Sequence, residues 1–506
     1  MQRKRVAVVG SGCSGLGALW ALKSTGHEVH LFEGKDRLGG HTNTVTFRHG
    51  QKETAVDTGF IVLNTATYPN LIAFLKEINI PIKRTEMTFG VSRDKGLFEW
   101  AGTSLDSIFA QRSNILRPSY WRMIFEIIRF NQYALDLLRR EADSEEVQRY
   151  PYQVKITKSM SQESLGDYLD REGYSAGFRD NYLIPMTASV WSTTPDKCSL
   201  EFPVLTLVRF LWNHHLLSSI SARPDWLTIP GGSKQYIEAV LKDVPNDRIH
   251  TGDPVASVRN VSEGKVALDT KSGKQDVFDH VIIAAHGDQI LDMLQADVTE
   301  QERDILSGFK TSKNVAYMHS DLDLMPKRRV AWSSWNYMTR SSSKSSNVNQ
   351  VCLTYWMNLL QHIPEKEFGH VLVTLNPLSE PRPELTQGRW EYHHPLYNAA
   401  AIRSQSLLPE IQNTRGISYA GAWTKYGFHE DGFSSGLKVA IDHLGAKLPF
   451  EFRDSTFSRG RRPELTWQDY VVRAGVTMLL WVFWIVGGLL GIVGIGHDSS
   501  KRAKIS

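Results

Sequence analysis

Apolar residues follow three patterns along this chain, and each predicts a different kind of element. Val6 to Val9 form an unbroken apolar run, the length of a parallel strand buried on both faces. Similar runs return at "EVHLFE" (28–33) and at Val281 to Ala285. Helical spacing follows the first run in "LGALWALKSTG", and it follows a late strand in "GISYAGAWTKYGFHEDGFSSGLKVAIDHL". Further on, "WRMIFEIIRFNQYALDLLRRE" places Trp121, Ile124, Phe125, Ile128, Leu135 and Leu138 on one helical face, flanked by Arg122, Arg129, Arg139 and Arg140. Such a face serves either packing between domains or contact with a membrane surface. The third pattern is the uncharged stretch Ala474 to Gly496, bordered by Arg473 and by Lys501, Arg502 and Lys504. It is long enough to cross a hydrocarbon layer of about 30 Å. A buried core helix or a hydrophobic hairpin is the alternative.

Glycines give the first strand its chemistry. Gly10, Gly12 and Gly15 stand in GxGxxG spacing between the strand and the helix, and the second strand ends in Glu33. In this arrangement one glycine makes the turn, one lets backbone approach a pyrophosphate, and one lets helix pack on strand. The helix N-terminus faces the phosphates and the acid accepts ribose hydroxyls. Strand, glycines, helix, strand and acid arrive in the order a dinucleotide site requires.

After Glu33 comes "GKDRLGGHTNT", with Arg37, the pair Gly39-Gly40, His41, Thr42 and Thr44, and then "AVDTGFIVLN" with Asp57 and Gly59. Here the chain resembles the flavin-containing amine oxidase superfamily. That superfamily carries an RxGGRxxS/T stretch after the ribose-binding acid; His41 stands where arginine is usual. The resemblance implies FAD rather than NAD alone. It also assigns the late segment to the last FAD motif: Tyr419-Ala420-Gly421 ends a strand, and Asp431-Gly432-Phe433 begins a helix aimed at the flavin. The backbone around Val255 is similar to the segment that meets the adenine. The implied cofactor-binding set is Gly10, Gly12, Cys13, Ser14, Gly15, Glu33, Arg37, Gly39, Gly40, His41, Thr42, Val255, Gly421, Asp431, Gly432 and Phe433. With no cysteine at the last motif, the FAD is expected to be non-covalent.

The expected fold class is α/β: a Rossmann-type FAD-binding domain interleaved with an α+β substrate domain, plus a C-terminal transmembrane helix. The FAD domain is expected over 1–85, 226–295 and 406–450. The substrate domain is expected over 86–225 and 296–405, followed by a linker at 451–473 and the span at 474–496. Ser341 to Ser346 reads as a loop.

Bulk properties narrow the function. At 506 residues the chain suits two folded units, and a net charge of +4 gives no case for nucleic acid. Cys13, Cys198 and Cys352 have no metal-ligand spacing, so no metal is expected. The absence of a signal-like N-terminus predicts insertion after synthesis, with the catalytic domain in the cytosol on the endoplasmic reticulum or a similar membrane. "GGHTNT", "IPMTASVWS", "SSWNY", "TYWMN", "TLNP" and the late FAD motif together resemble one branch, proteins related to the flavoprotein part of plant cyclopropane fatty acid synthases. That branch implies a lipid or other apolar substrate and a redox or lipid-modifying partner enzyme. Trp191, Trp335, Tyr355, Trp356 and Phe428 are candidate pocket walls, and His429 is the candidate general base. An amine oxidase, and a flavoprotein acting mainly as an assembly partner, are the other readings.

Overall fold

A computed structural model describes residues 2–148, 163–191, 200, 202–217, 223–340 and 352–492. The loop expected at Ser341 to Ser346, the side chain of Trp191 and residue Cys198 lie outside the described residues.

The first apolar run becomes the middle of a five-stranded parallel sheet. Its order is Ile249–Thr251, Glu28–Glu33, Arg5–Val9, His280–Ile283, Ile417–Tyr419. Alternate residues of Arg5–Val9 point to opposite faces. Val6 and Val8 join Leu16, Leu31 and Phe433 in one core, while Ala7 and Val9 join Phe32, Val281 and Ile283 in another. Both faces are covered, which is why the run carries no polar residue. The helices Cys13–Leu22 and His429–Leu444 cover the first face. The small antiparallel sheet of Val255–Asn260, Val266–Thr270 and Gln275–Phe278 adds to the second.

A seven-stranded mixed sheet forms the other half. Its order is Thr386–Pro395, Thr311–His319, Leu372–Leu375, Cys352–Trp356, Trp335–Thr339, Phe89–Arg93, Phe98–Ala101. Helices Pro118–Tyr133, Leu165–Arg171 and Val204–Asn213 share a core with its end through Val91, Trp100 and Tyr337. The chain thus leaves the parallel sheet after Glu33, returns at Ile249, leaves after Ile283 and returns at Ile417.

The long helix expected around Trp121 is broken at Ala134 into Pro118–Tyr133 and Leu135–Gln148. Its buried stripe runs through Tyr120, Met123 and Phe130, whereas Trp121 is 49% exposed and Ile128 37%. Glu126 is buried within that stripe because it accepts from Ser175 N at 3.1 Å and from Arg122 Nε at 2.9 Å.

The expected membrane-crossing helix is not supported: among the described residues no helix is long and apolar enough to cross a membrane. The stretch forms part of the helix Trp467–Ile492, and residues 493–496 of the expected span lie outside the described residues. The start of this helix is docked on the protein body. Arg473 pairs with Asp136 at 2.9 Å, and Tyr133 Oη shares a hydrogen bond of 2.9 Å with Thr477 Oγ1.

One contact joins the two ends of the chain. Helices Cys13–Leu22 and His429–Leu444 cross so closely that a Cβ built on Gly436 would stand 1.9 Å from the Ser14 carbonyl oxygen. A Cβ on Gly17 would stand 2.8 Å from the Phe433 carbonyl oxygen. These neighbours are backbone and cannot rotate away. Gly436→Ala is therefore expected to destabilise the protein by on the order of 1–3 kcal/mol. Gly475→Ala, inside helix Trp467–Ile492 with nothing within 4 Å of its Cβ, is expected to be neutral or to stabilise by up to about 1 kcal/mol. Chemical denaturation of the two variants checks the contrast; equal midpoints contradict it.

Candidate functional site: a cofactor cavity between the two domains

A cavity of about 1450 Å³ runs from the glycine turn across the domain junction to helix Pro118–Tyr133. Pockets for one small ligand usually span roughly 300–1,000 Å³, so this one has room for a large cofactor and a second molecule. It lies at the carboxyl ends of the parallel strands, where open α/β sheets bind ligands.

The glycines of the turn differ in what they do. Gly10 has φ +106°, and a Cβ there would meet the Ala284 carbonyl oxygen at 2.6 Å. Gly15 is pressed under the turn, with a Cβ position 1.9 Å from the Gly10 carbonyl oxygen. Gly12 is different, because a Cβ there would meet nothing within 4 Å. Its open side faces the cavity at the start of the helix, the place where a pyrophosphate binds. Glu33 holds this turn. Its Oε2 accepts from Ser11 N at 3.0 Å and Ser11 Oγ at 2.6 Å, and its Oε1 accepts from Lys35 N at 3.0 Å.

Gly10, Gly12, Cys13, Ser14, Glu33, Arg37, Gly40, His41, Val255, Gly421, Phe428 and His429 all line the cavity. The other residues of the expected set stand behind this lining. Gly39 donates its N–H to Ser11 Oγ at 3.1 Å, and Thr42 shares a hydrogen bond of 2.6 Å with Tyr236. Asp431 accepts from Phe428 N at 3.0 Å, capping its helix. Gly432 lies against Cys13, and Phe433 is core. Cys13 stays a thiol, since burial pushes its pKa up to about 12. Among the pocket-wall candidates, Trp335, Tyr355 and Phe428 line the cavity and Trp356 does not.

His429 is stacked on Phe60 with ring centres 3.7 Å apart, and its Nε2 shares a 2.8 Å hydrogen bond with Tyr236 Oη. Burial lowers its pKa to about 3. A ring this weakly basic remains neutral at physiological pH, whereas general bases work best near the operating pH.

Sequence reasoning missed a second group of histidines. His286 follows the strand His280–Ile283 directly, and His393 and His394 lie on the strand Thr386–Pro395; all three line the cavity. His286 could have been noticed as a polar residue at the carboxyl end of an apolar strand. The pair at 393–394 carries no motif, and only the meeting of the two sheets brings it here. Among the described residues no cluster could hold a metal ion.

These residues fit FAD. The open side of Gly12 and the adjacent helix N-terminus suit its pyrophosphate, Glu33 stands beside the turn, and the large cavity leads on toward the aromatic walls.

The comparisons agree with this geometry. The family described as flavin containing amine oxidoreductase matches residues 13–317, more than half of the chain, and the chain belongs to that family. Flavin-dependent L-tryptophan oxidase RebO of Lentzea aerocolonigenes is 24% identical over 320 residues, 61% of this chain and 62% of that protein. An L-amino acid oxidase of Cerastes cerastes is 49% identical over 49 residues, 10% of this chain and 9% of that protein. The chain therefore spans less than two thirds of the length of these relatives. Among solved structures, wild-type putrescine oxidase bound to putrescine aligns with a TM-score of 0.59 at 16% identity, covering 88% of this chain and 99% of that one. The CLA-producing fatty acid isomerase from P. acnes aligns at 0.56 and 12%, covering 87% and 99%. At these identities the structural matches establish the fold. The chain is thus a member of a flavin-containing oxidoreductase family, and its cavity fits the cofactor that the family name implies.

Gly12→Val is expected to leave a folded apoprotein that retains no FAD, because a Cβ at this position meets no protein atom within 4 Å and its methyl groups extend into the cavity. Glu33→Gln, whose amide nitrogen cannot accept from Lys35 N, is expected to loosen the turn and to weaken FAD binding by on the order of 1.5–3 kcal/mol, about the worth of charge-assisted hydrogen bonds. Equilibrium dialysis with FAD, beside a melting curve for each variant, checks both. FAD retained by Gly12→Val would place the pyrophosphate elsewhere.

Proposed function

We propose that this enzyme oxidises, desaturates or isomerises a lipid or other apolar metabolite. The observation that carries the reading is the cavity arm distant from the glycine turn. Ile108, Ile124, Ile127, Ile128, Met186 and Val190 line it. Burying a charged amine against such a wall is costly, whereas an alkyl chain gains roughly 0.8 kcal/mol per CH₂ buried.

FAD supplies hydride acceptance when bound. The work of the protein's own groups is to orient the substrate and exclude water. Trp335 and Tyr355 pack edge to face, with ring centres 5.3 Å apart, and Phe428 stacks on Phe210 at 5.1 Å. These rings line the cavity and restrict how a chain can lie in it. His429, held neutral between Phe60 and Tyr236, acts in this reading as a positioning group rather than as a proton acceptor.

Amine oxidation is the second reading, favoured by the family and by the named activities of the relatives. Attachment to a membrane, with the catalytic domain in the cytosol, and pairing with a lipid-modifying enzyme also belong to the proposal. What supports attachment is an exposed apolar turn of helix Trp467–Ile492, where Met478, Leu479, Leu480, Trp481 and Val482 are uncovered.

Anaerobic mixing of the FAD-loaded enzyme with substrate panels separates the two chemical readings. Unsaturated and saturated long-chain lipids are expected to bleach the flavin absorbance or to emerge isomerised in product analysis. Primary amines and amino acids are expected to do neither. Bleaching by amines alone would replace the proposal with amine oxidation.

A further inference from the structure

A histidine cluster stands at the phosphate side of the cavity, and the function above does not use it. The ring of His41 lies 5.1 Å from that of His394 and 5.7 Å from that of His286, and His286 lies 5.9 Å from His393. Three remote stretches of sequence meet here. Gly40, the neighbour of His41, is packed on the glycine turn, since a Cβ on it would stand 3.0 Å from Gly12 Cα. His286 lies two residues beyond Ala284, whose carbonyl oxygen abuts Gly10. The cluster therefore borders the place where the pyrophosphate is expected.

The protonation pattern of His394 follows from a backbone amide. Val315 N–H donates to Asn376 Oδ1 at 2.8 Å, which leaves Asn376 Nδ2 to donate to Asn314 Oδ1 at 2.6 Å. Asn314 Nδ2 then donates to His394 Nδ1 at 2.8 Å. With Nδ1 accepting, the proton of neutral His394 sits on Nε2. His41 Nε2 is buried without a hydrogen-bond partner, a costly state unless a ligand or a proton relieves it.

The nearest fixed cation is already engaged. Arg37 donates to the carbonyl oxygens of Leu38, Thr42 and Gly40, at 3.2, 3.0 and 2.6 Å. The other groups facing the cluster are Lys35 and Glu33 beside the turn, Asp288 beyond His286, Tyr392 and Glu391 on the strand of His394, and His429 on the closing helix.

We propose that His41, His286 and His394 form a cradle for the FAD pyrophosphate in which neutral His394 donates from Nε2 and His41, whose Nε2 has no protein partner, takes up a proton from solvent as the cofactor binds. No bond forms or breaks in the cofactor; one buffer proton moves onto the cluster and its charge offsets that of the phosphates. Without an anion, burial and mutual repulsion keep the rings neutral: His41 lies well below its ordinary range, His286 below it, and His394 is lowered to about 4. A nearby anion favours the charged form and raises these values. Proton uptake on binding means that affinity rises as pH falls, by up to about tenfold per pH unit for one proton.

The test follows FAD release from the holoprotein by flavin fluorescence on dilution at pH 6, 7 and 8. Dissociation constants should be tightest at pH 6 in the wild type. His41→Arg, which replaces a titrating group with a fixed charge, should retain FAD with a flatter pH profile. His394→Gln, which keeps a donor toward the cofactor, should retain the wild-type pH slope. A wild-type affinity independent of pH, His41→Arg keeping the full wild-type slope, or His394→Gln losing it, overturns the cradle. A wild type that holds no FAD at any pH overturns the flavoprotein reading instead, so the two failures are distinguishable.

Discussion

The structure depends on one steric constraint, the contact of backbone with backbone where helix His429–Leu444 crosses helix Cys13–Leu22. The Gly436 Cα rests on the Ser14 carbonyl at a separation that admits no side chain. The contact fixes the glycine turn relative to the segment Gly421 to His429. It also brings strand Ile417–Tyr419 beside His280–Ile283, closing the parallel sheet. The cavity exists because both ends of the chain are pinned there, and the substrate half is placed by the segments that leave and re-enter this frame. Glycine is common in the late motif for this reason, besides its use in turns.

Much of the cofactor half was legible in the sequence because its constraints are local. A strand, a turn with φ +106° at Gly10, a helix and an acid after the second strand are read from neighbours within some twenty residues. The role of Glu33 was only half legible, since its hold on Ser11 depends on how the turn folds back. The histidine cluster was not legible, because residues 41, 286 and 394 meet only through strand order. The helix face at Trp121 was misjudged because the chain breaks at Ala134, and because a buried glutamate, Glu126, satisfies the turn at Ser175. The apolar stretch at 474–496 was correctly seen as long and uncharged. Its first part, however, is held to the body by Arg473 and Thr477, a tertiary fact that no hydropathy count contains.

The site pairs two environments. At the glycine turn, backbone donors, Glu33 and neutral histidines surround a place for charge. Elsewhere isoleucines, methionine and aromatic rings line the cavity, together with polar groups such as Asn131 and Ser189. Phe428 and His429 sit at the boundary, at the start of the helix that pins the frame. Burial decides the chemistry at this boundary: it holds His429 near a pKa of 3 and keeps Cys13 a thiol. Neither is therefore available for proton transfer or nucleophilic attack near neutral pH.

The central claim is that the N-terminal turn and the late motif form one cofactor site. Amide hydrogen exchange measured on the apoprotein and after addition of FAD tests it directly. The account predicts that slowed exchange appears together, and with the same FAD dependence, over Ser11 to Gly15 and over Gly421 to Asp431. Protection of the glycine turn alone, with the late segment exchanging as before, would contradict it.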